Sequence, residues 1–144
     1  MNVESILKAK GHQVVTIAPV AAVAEAAALL RRMGIGALVV SVDGRRLDGI
    51  VSERDIVHAL ADRGAAALDL RVADLMTRRV VTCAPGETVA ELMAEMTRRR
   101  IRHLPVVEHG RLVGLVSIGD VVKNRLEEME EETTSLRQFI AGAA

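Results

Sequence analysis

Two short runs hold the groups best placed for binding chemistry: Ser52-Glu53-Arg54-Asp55 and Ser117-Ile118-Gly119-Asp120. Each follows a β-prone apolar run, Gly49-Ile50-Val51 or Gly114-Leu115-Val116, and each leads into a stretch that reads as helix. At such a junction a serine hydroxyl and the unpaired amides of the first helical turn can donate to an anion, which the helix dipole also favours. The carboxylate three residues on can accept hydrogen bonds from hydroxyl groups. The same spacing also serves without any ligand, because Ser-x-x-Asp resembles a capping box worth about 1 kcal/mol. One copy alone leaves both readings open. Arg54 adds a cation beside Asp55, whereas Gly119 takes its place in the second run, so the two should differ. A further cluster, Arg98, Arg99, Arg100 and Arg102, falls at a helix end and the following strand, with Arg78 and Arg79 upstream. Cations there complement a helix C-terminus; delivery of one or two to a polyphosphate or dinucleotide is the other reading. Nucleic-acid binding is disfavoured. Nineteen basic and nineteen acidic residues cancel, and Phe139, the one aromatic, provides no stacking platform.

The elements that must position these groups occur twice. Val14-Val15-Thr16-Ile17-Ala18-Pro19 returns 66 positions later as Val80-Val81-Thr82-Cys83-Ala84-Pro85, and Val23-Ala24-Glu25 as Val89-Ala90-Glu91. After one deletion in a turn the offset is 65, so that Gly49 to Val57 answers to Gly114 to Val122. Each unit is too small to bury a stable core alone. The order in each is strand, helix, strand, strand, helix. Strands are expected over Val14 to Ile17 and Val80 to Cys83, ending at Ala-Pro. Val89, Leu92, Met93 and Met96 then fall on one helical face, with Val23, Ala26, Ala27 and Leu30 at the equivalent places. Ala37 to Val42 and Leu47 to Val51 read as a hairpin around Asp43-Gly44, a turn shortened to Glu108-His109-Gly110 in the second copy.

Two segments lie outside this pattern. Residues 1–10 predict a short leading helix with Val3, Ile6 and Leu7 on one side. From Asp120 no Pro or Gly intervenes before Gly142, so the last helix should run to about Ile140. Val122, Leu126, Met129, Leu136 and Ile140 form its apolar stripe, Thr133 fills the gap, and five glutamates between Glu127 and Glu132 crowd the other faces. Such a stripe needs a partner: its own domain, an identical subunit, or a separate target. The organisation expected is an N-terminal segment 1–10, repeats at 11–65 and 75–126 joined by a linker 66–74, and a helical tail 127–144.

The ordered set resembles a tandem pair of CBS domains, the Bateman module. Its carriers are Thr16-Ile17-Ala18-Pro19, Gly36-Ala37-Leu38-Val39-Val40 and Gly49 to Asp55, then Leu75-Met76-Thr77, Val81 to Pro85, Ile101 to Val107 and Gly114 to Asp120, covering roughly residues 3 to 126. The resemblance implies an α+β fold of two pseudo-symmetric βαββα repeats with two clefts for adenine nucleotides. It makes Ser52 with Asp55, and Ser117 with Asp120, phosphate and ribose contacts, and it places Thr16 and Thr82 beside the adenine or its sugar. Ala37 and His103 fall where backbone groups of the family read the adenine edge. One cleft would then use Thr16, Ala37, Ser52, Arg54 and Asp55, the other Thr82, His103, Ser117 and Asp120. AMP, ADP, ATP and NAD(H) all fit this expectation, and the arginines favour them over S-adenosylmethionine. The implied role is a free-standing regulatory sensor, a homodimer that signals to a regulated protein. The alternative is a dimerisation scaffold with vestigial clefts.

Catalysis finds little footing. Cys83 matches Ile17, a strand core position, and no histidine is committed to it; a lone cysteine also excludes an internal disulfide. His12, His58, His103 and His109 lack metal-ligand spacing, so no metal or required cofactor is expected. Glycine-rich phosphate loops are absent. The longest apolar stretch, Ala18 to Leu30, contains Glu25 and is too short to span a bilayer core of roughly 30 Å. No signal peptide is read at the start. A protein of a reducing cytoplasm, without membrane or nucleic-acid partners, is expected.

Overall fold

The computed structural model describes residues 1–143; residue 144, the end of the tail segment, lies outside the described residues. In chain order come α1 (Val3–Lys10), β1 (Thr16–Ile17), α2 (Val23–Met33), β2 (Ala37–Val40), β3 (Gly49–Ser52), α3 (Glu53–Arg63) and a 3₁₀ segment (Gly64–Asp69). Then follow α4 (Val72–Leu75), α5 (Val89–Arg99), β4 (His103–Glu108), β5 (Arg111–Ser117) and α6 (Ile118–Ala143). The first sheet runs β1-β2-β3, with β1 parallel and β3 antiparallel to β2; β4 and β5 form an antiparallel pair.

The helical periodicity was legible. Val23, Ala26 and Leu30 of α2 and Val89, Leu92 and Met96 of α5 are buried, each set facing its own sheet. Two aliphatic cores result, one around Leu38, Val40 and Val51, the other around Leu104, Val106 and Val116. The expected strand Val80 to Cys83 is a correction: only Cys83 pairs, through a single parallel bridge to Val106. Its amide donates to the Pro105 carbonyl (3.0 Å) and its carbonyl accepts from Val107 (2.9 Å). Continuing toward Thr82 needs an amide at position 105, and proline has none. In the first repeat that position is Val39, which pairs with Thr16. The hairpin loops also differ. His109 and Gly110 both have positive φ and close β4–β5 in two residues, as a type I′ turn requires, whereas the first repeat spans 41–48 with Asp43 accepting from the Arg45 and Arg46 amides.

The segments outside the repeat pattern perform one shared task. The helix α1 docks on the second repeat: Val3 N–H donates to the Glu87 carbonyl (2.9 Å), Glu4 N–H to Pro85 (3.0 Å), and Val89 N–H back to Met1 (3.3 Å). The short helix α4 docks identically on the first: Val72 to Ala21 (2.8 Å), Ala73 to Pro19 (2.9 Å), and Val23 back to Leu70 (2.8 Å). Val3, Ile6 and Leu7 are fully buried in the second core, and Val72 in the first. Each repeat is thus completed by the arm that precedes the other. Gly49 and Gly114 make room for them: a Cβ on Gly114 would stand 2.6 Å from Leu7 Cδ2, and one on Gly49 2.8 Å from Met76 Sδ.

Helix α6 runs unbroken for 26 residues. Its first turns pack on α5 and β5, with Val121 buried, while Val122, Leu126, Met129, Leu136, Phe139 and Ile140 are exposed. Among the described residues, no helix is long and apolar enough to cross a membrane.

Candidate inter-repeat binding cleft

A cleft of about 580 Å³ opens where the two repeats meet, within the roughly 300–1,000 Å³ typical of small-molecule sites. The first repeat contributes Gly36 and Ala37 at the start of β2, Ile50 and Ser52 of β3, and Glu53, Arg54, Asp55 and Val57 of α3. The second contributes Thr77 and Arg79 to Val81 after α4, and Arg100 to His103 between α5 and β4.

The Ser52 junction forms the capping box in full. Asp55 N–H donates to Ser52 Oγ (3.3 Å), while Ser52 N–H and Oγ donate to Asp55 Oδ2 (2.8 and 3.1 Å). Capping and ligand binding are compatible, because the box occupies Oδ2 alone and Asp55 faces the cleft. The wall around it is apolar where Ala37, Ile50, Val80, Val81 and Ile101 lie, and cationic at Arg54, Arg79, Arg100 and Arg102. Among the described residues none of these four arginines is in an ion pair. The rest of the cluster is otherwise engaged: Arg98 and Arg99 both bind Glu95, and Arg78 reaches the Ala73 carbonyl (3.4 Å). Arg100 also ends α5 in a left-handed conformation (φ 55°, ψ 42°), the role Gly34 plays for α2.

His103 pairs with Ser117 across β4–β5, and it also reaches the first repeat's cleft, which the repeat-by-repeat assignment did not give it. It lines the same cavity as Ala37, its ring 3.4 Å from where a Cβ on Gly36 would be. The imidazole of one repeat thus packs against the β2 start of the other. Burial pushes the His103 pKa down; Glu53 and Asp120 oppose this, and Lys10 and Arg102 reinforce it, so the ring is neutral near pH 7.

The second Ser-x-x-Asp run repeats the box: Asp120 N–H to Ser117 Oγ (3.2 Å), Ser117 N–H and Oγ to Asp120 Oδ2 (2.9 and 3.0 Å). It carries one addition, Lys10 from α1, whose Nζ donates to Asp120 Oδ2 (2.6 Å) and to the Leu115 carbonyl (3.0 Å). Burial pushes the Asp120 carboxyl up, but Lys10 and Ser117 outweigh it and hold the group below the usual carboxylate range. Ala37, Ser52, Arg54, Asp55 and His103 are therefore brought together, and Thr16, Thr82, Ser117 and Asp120 do not line this cleft. Sequence reasoning named Arg79, Arg100 and Arg102 without placing them. It passed over Lys10, although the likeness of Val3-Glu4-Ser5-Ile6-Leu7 to Val72-Ala73-Asp74-Leu75-Met76 marks residues 1–10 as an arm. Burial, with Glu87 adding, pushes the Cys83 thiol up to about 12, which leaves it un-ionised in the second core. Among the described residues no group of three or more His, Cys, Asp or Glu could hold a metal ion.

The family model of the CBS domain matches residues 4–62 and 72–127. A CBS-domain containing protein from Agrobacterium tumefaciens superposes with a TM-score of 0.84 at 46% identity, covering 87% of this chain and 99% of that one. A CBS domain pair in complex with 5′-methylthioadenosine and S-adenosyl-L-methionine superposes with a TM-score of 0.78 at 27% identity, over 89% of this chain and 98% of that one. A mitochondrial CBS domain-containing protein of Arabidopsis thaliana is 38% identical over 112 residues, 75% of this chain. The chain spans only 54% of that relative's length, and 22% of an inosine-5′-monophosphate dehydrogenase from Korarchaeum cryptofilum, 43% identical over 111 residues. The chain belongs to the CBS-domain family, as a tandem pair.

Proposed function

We propose that this CBS pair is a regulatory module that binds a phosphate-bearing adenine nucleotide, AMP, ADP, ATP or NAD(H), in the inter-repeat cleft and passes its occupancy to a partner protein. The observation that carries the reading is that one cavity joins an apolar slot, a carboxylate at a helix start and four guanidiniums that form no ion pair among the described residues. The base lies against Ile50, Val81 and Ile101, with the Ala37 backbone and neutral His103 at its edge. Asp55 accepts from the ribose hydroxyls, and Arg54, Arg79, Arg100 and Arg102 meet phosphate, charge-assisted bonds that are the strong ones in such sites. The two adenosine derivatives held by a structural relative support the base and ribose part of this reading. The cationic end disfavours a sulfonium such as S-adenosylmethionine.

Transmission follows from one hydrogen bond. The Arg102 carbonyl accepts from Ile118 N–H (2.8 Å), the first amide of α6, so a ligand that draws Arg102 inward acts on the helix whose far end displays the apolar stripe. A ligand shifts such an equilibrium only by its differential affinity for the two states. The test is thermal unfolding against adenine and guanine nucleotides, NAD, NADH and S-adenosylmethionine, with hydrogen exchange along α6. A nucleotide at about 100 times its Kd adds roughly 2.7 kcal/mol. The shift should vanish in Asp55→Ala, whose empty fold loses only a cap, about 1 kcal/mol. No shift with any nucleotide refutes the sensor. A second reading rests on the exposed stripe of Val122, Leu126, Met129, Leu136 and Ile140: α6 pairs with an identical helix to form a homodimer. Light scattering checks it, and Asp55→Ala should leave self-association untouched.

A further inference from the structure

The two pseudo-equivalent positions are unequal, and three pairs of answering residues show where. Arg54 answers to Gly119. Arg100 answers to Gly34, each ending its helix in the left-handed region. Arg102 answers to Gly36, each giving its carbonyl to the first amide of the following helix, Ile118 to Arg102 at 2.8 Å and Glu53 to Gly36 at 3.0 Å. Arg54 and Arg100 in the cleft thus answer to Gly119 and Gly34, whereas Gly36 and Arg102 line the cleft together. The acid of the second junction, Asp120, already holds a cation of its own chain. The Lys10 ammonium is fixed by two acceptors, Asp120 Oδ2 and the Leu115 carbonyl, and its helix is anchored by the buried Val3, Ile6 and Leu7. Asp55, by contrast, has no ion-pair partner among the described residues.

We infer that the chain binds one nucleotide, at the arginine-lined cleft, and that Lys10 occupies the second position as a built-in cation that denies Asp120 to the hydroxyls of a ligand. The inference rests on the nucleotide reading of the first cleft. The junction there has Gly119 where the cleft has Arg54, so the ligand class it would take once unlocked is a nucleoside, with adenosine as the probe, held through its ribose diol by Asp120. The same lock ties the N-terminal arm to the start of α6.

The experiment is isothermal titration calorimetry on the full chain, freed of carried-over nucleotide, with ADP and separately with adenosine as probes. Wild type should take one equivalent of ADP. Lys10→Met keeps the aliphatic stem at the exposed end of α1 and removes the charge; it should still take one equivalent of ADP at the first cleft and gain a binding equivalent for adenosine. That gain should disappear in Lys10→Met/Asp120→Asn. Two equivalents of ADP in wild type, or no gain of adenosine binding in Lys10→Met while ADP binds normally, overturns the inference and leaves the nucleotide reading standing. Absence of ADP binding in both proteins removes the nucleotide reading and this inference with it.

Discussion

Arg100→Gly should stabilise the empty protein and weaken its nucleotide binding at once. Arg100 sits at φ 55°, ψ 42°, a region that costs an L-residue about 1–2 kcal/mol. Glycine removes that strain but loses more chain entropy on folding, about 0.5–1 kcal/mol. The balance is a gain of roughly 0.5–1 kcal/mol, or about 2–4 °C in Tm for a chain of this size. Gly34, at φ 64° and ψ 37°, shows the same cap made with glycine in the first repeat. The substitution also removes one of the four guanidiniums that line the cleft. A hydrogen bond to a charged group contributes about 1.5–3 kcal/mol, and Arg100 is solvent-exposed, so the lower figure applies: roughly a tenfold loss of ADP affinity. Differential scanning calorimetry of the empty protein and ADP titration read the two effects separately. Arg100→Ala is the control: it loses the charge and keeps the strain, so its affinity falls without a rise in Tm. If Arg100→Gly melts below wild type, or binds ADP within twofold of it, the assignment of Arg100 as a strained residue retained for a ligand is refuted.

Two further outcomes follow from the packing and the charges. The His103 pKa is lowered in the fold, so below its unfolded value of about 6.5 the unfolded chain binds more protons than the native one and stability falls with pH. Melting temperatures from pH 7.5 to 5 should drop more steeply for wild type than for His103→Gln, and parallel curves would contradict a half-buried neutral ring. Leu7→Ala should cost about 2–5 kcal/mol in urea unfolding even though it lies near the start of the chain, because Leu7 is fully buried. Gly114→Ala should cost about 1–3 kcal/mol by overpacking the same contact, and the pair together should cost less than the sum, since the new methyl enters the space Leu7 leaves.

The sequence determined what each segment is. Two copies of a strand-helix-hairpin-helix unit, their inward helical faces, the shortened turn at Glu108-His109-Gly110, the capped junctions at Ser52 and Ser117 and the long α6 were all legible, because each depends on residues within one or two turns of one another. The same locality explains the failures. Whether Val80 to Cys83 extends a ladder was decided by Pro105, a neighbour across the sheet rather than along the chain. Tertiary structure also decided what faces what. Residues 1–10 and 66–74 read as peripheral until α1 and α4 were seen to complete each other's repeats, which gives Gly49 and Gly114 their reason. His103, paired with Ser117, also met Ala37 of the other repeat, and the arginine cluster divided between Glu95 and the cleft. Periodicity shows that a side chain points inward, or that a charge lies at a helix end. Only the docking of two pseudo-equivalent units, driven by burial that is blind to sequence separation, selects the partner it meets.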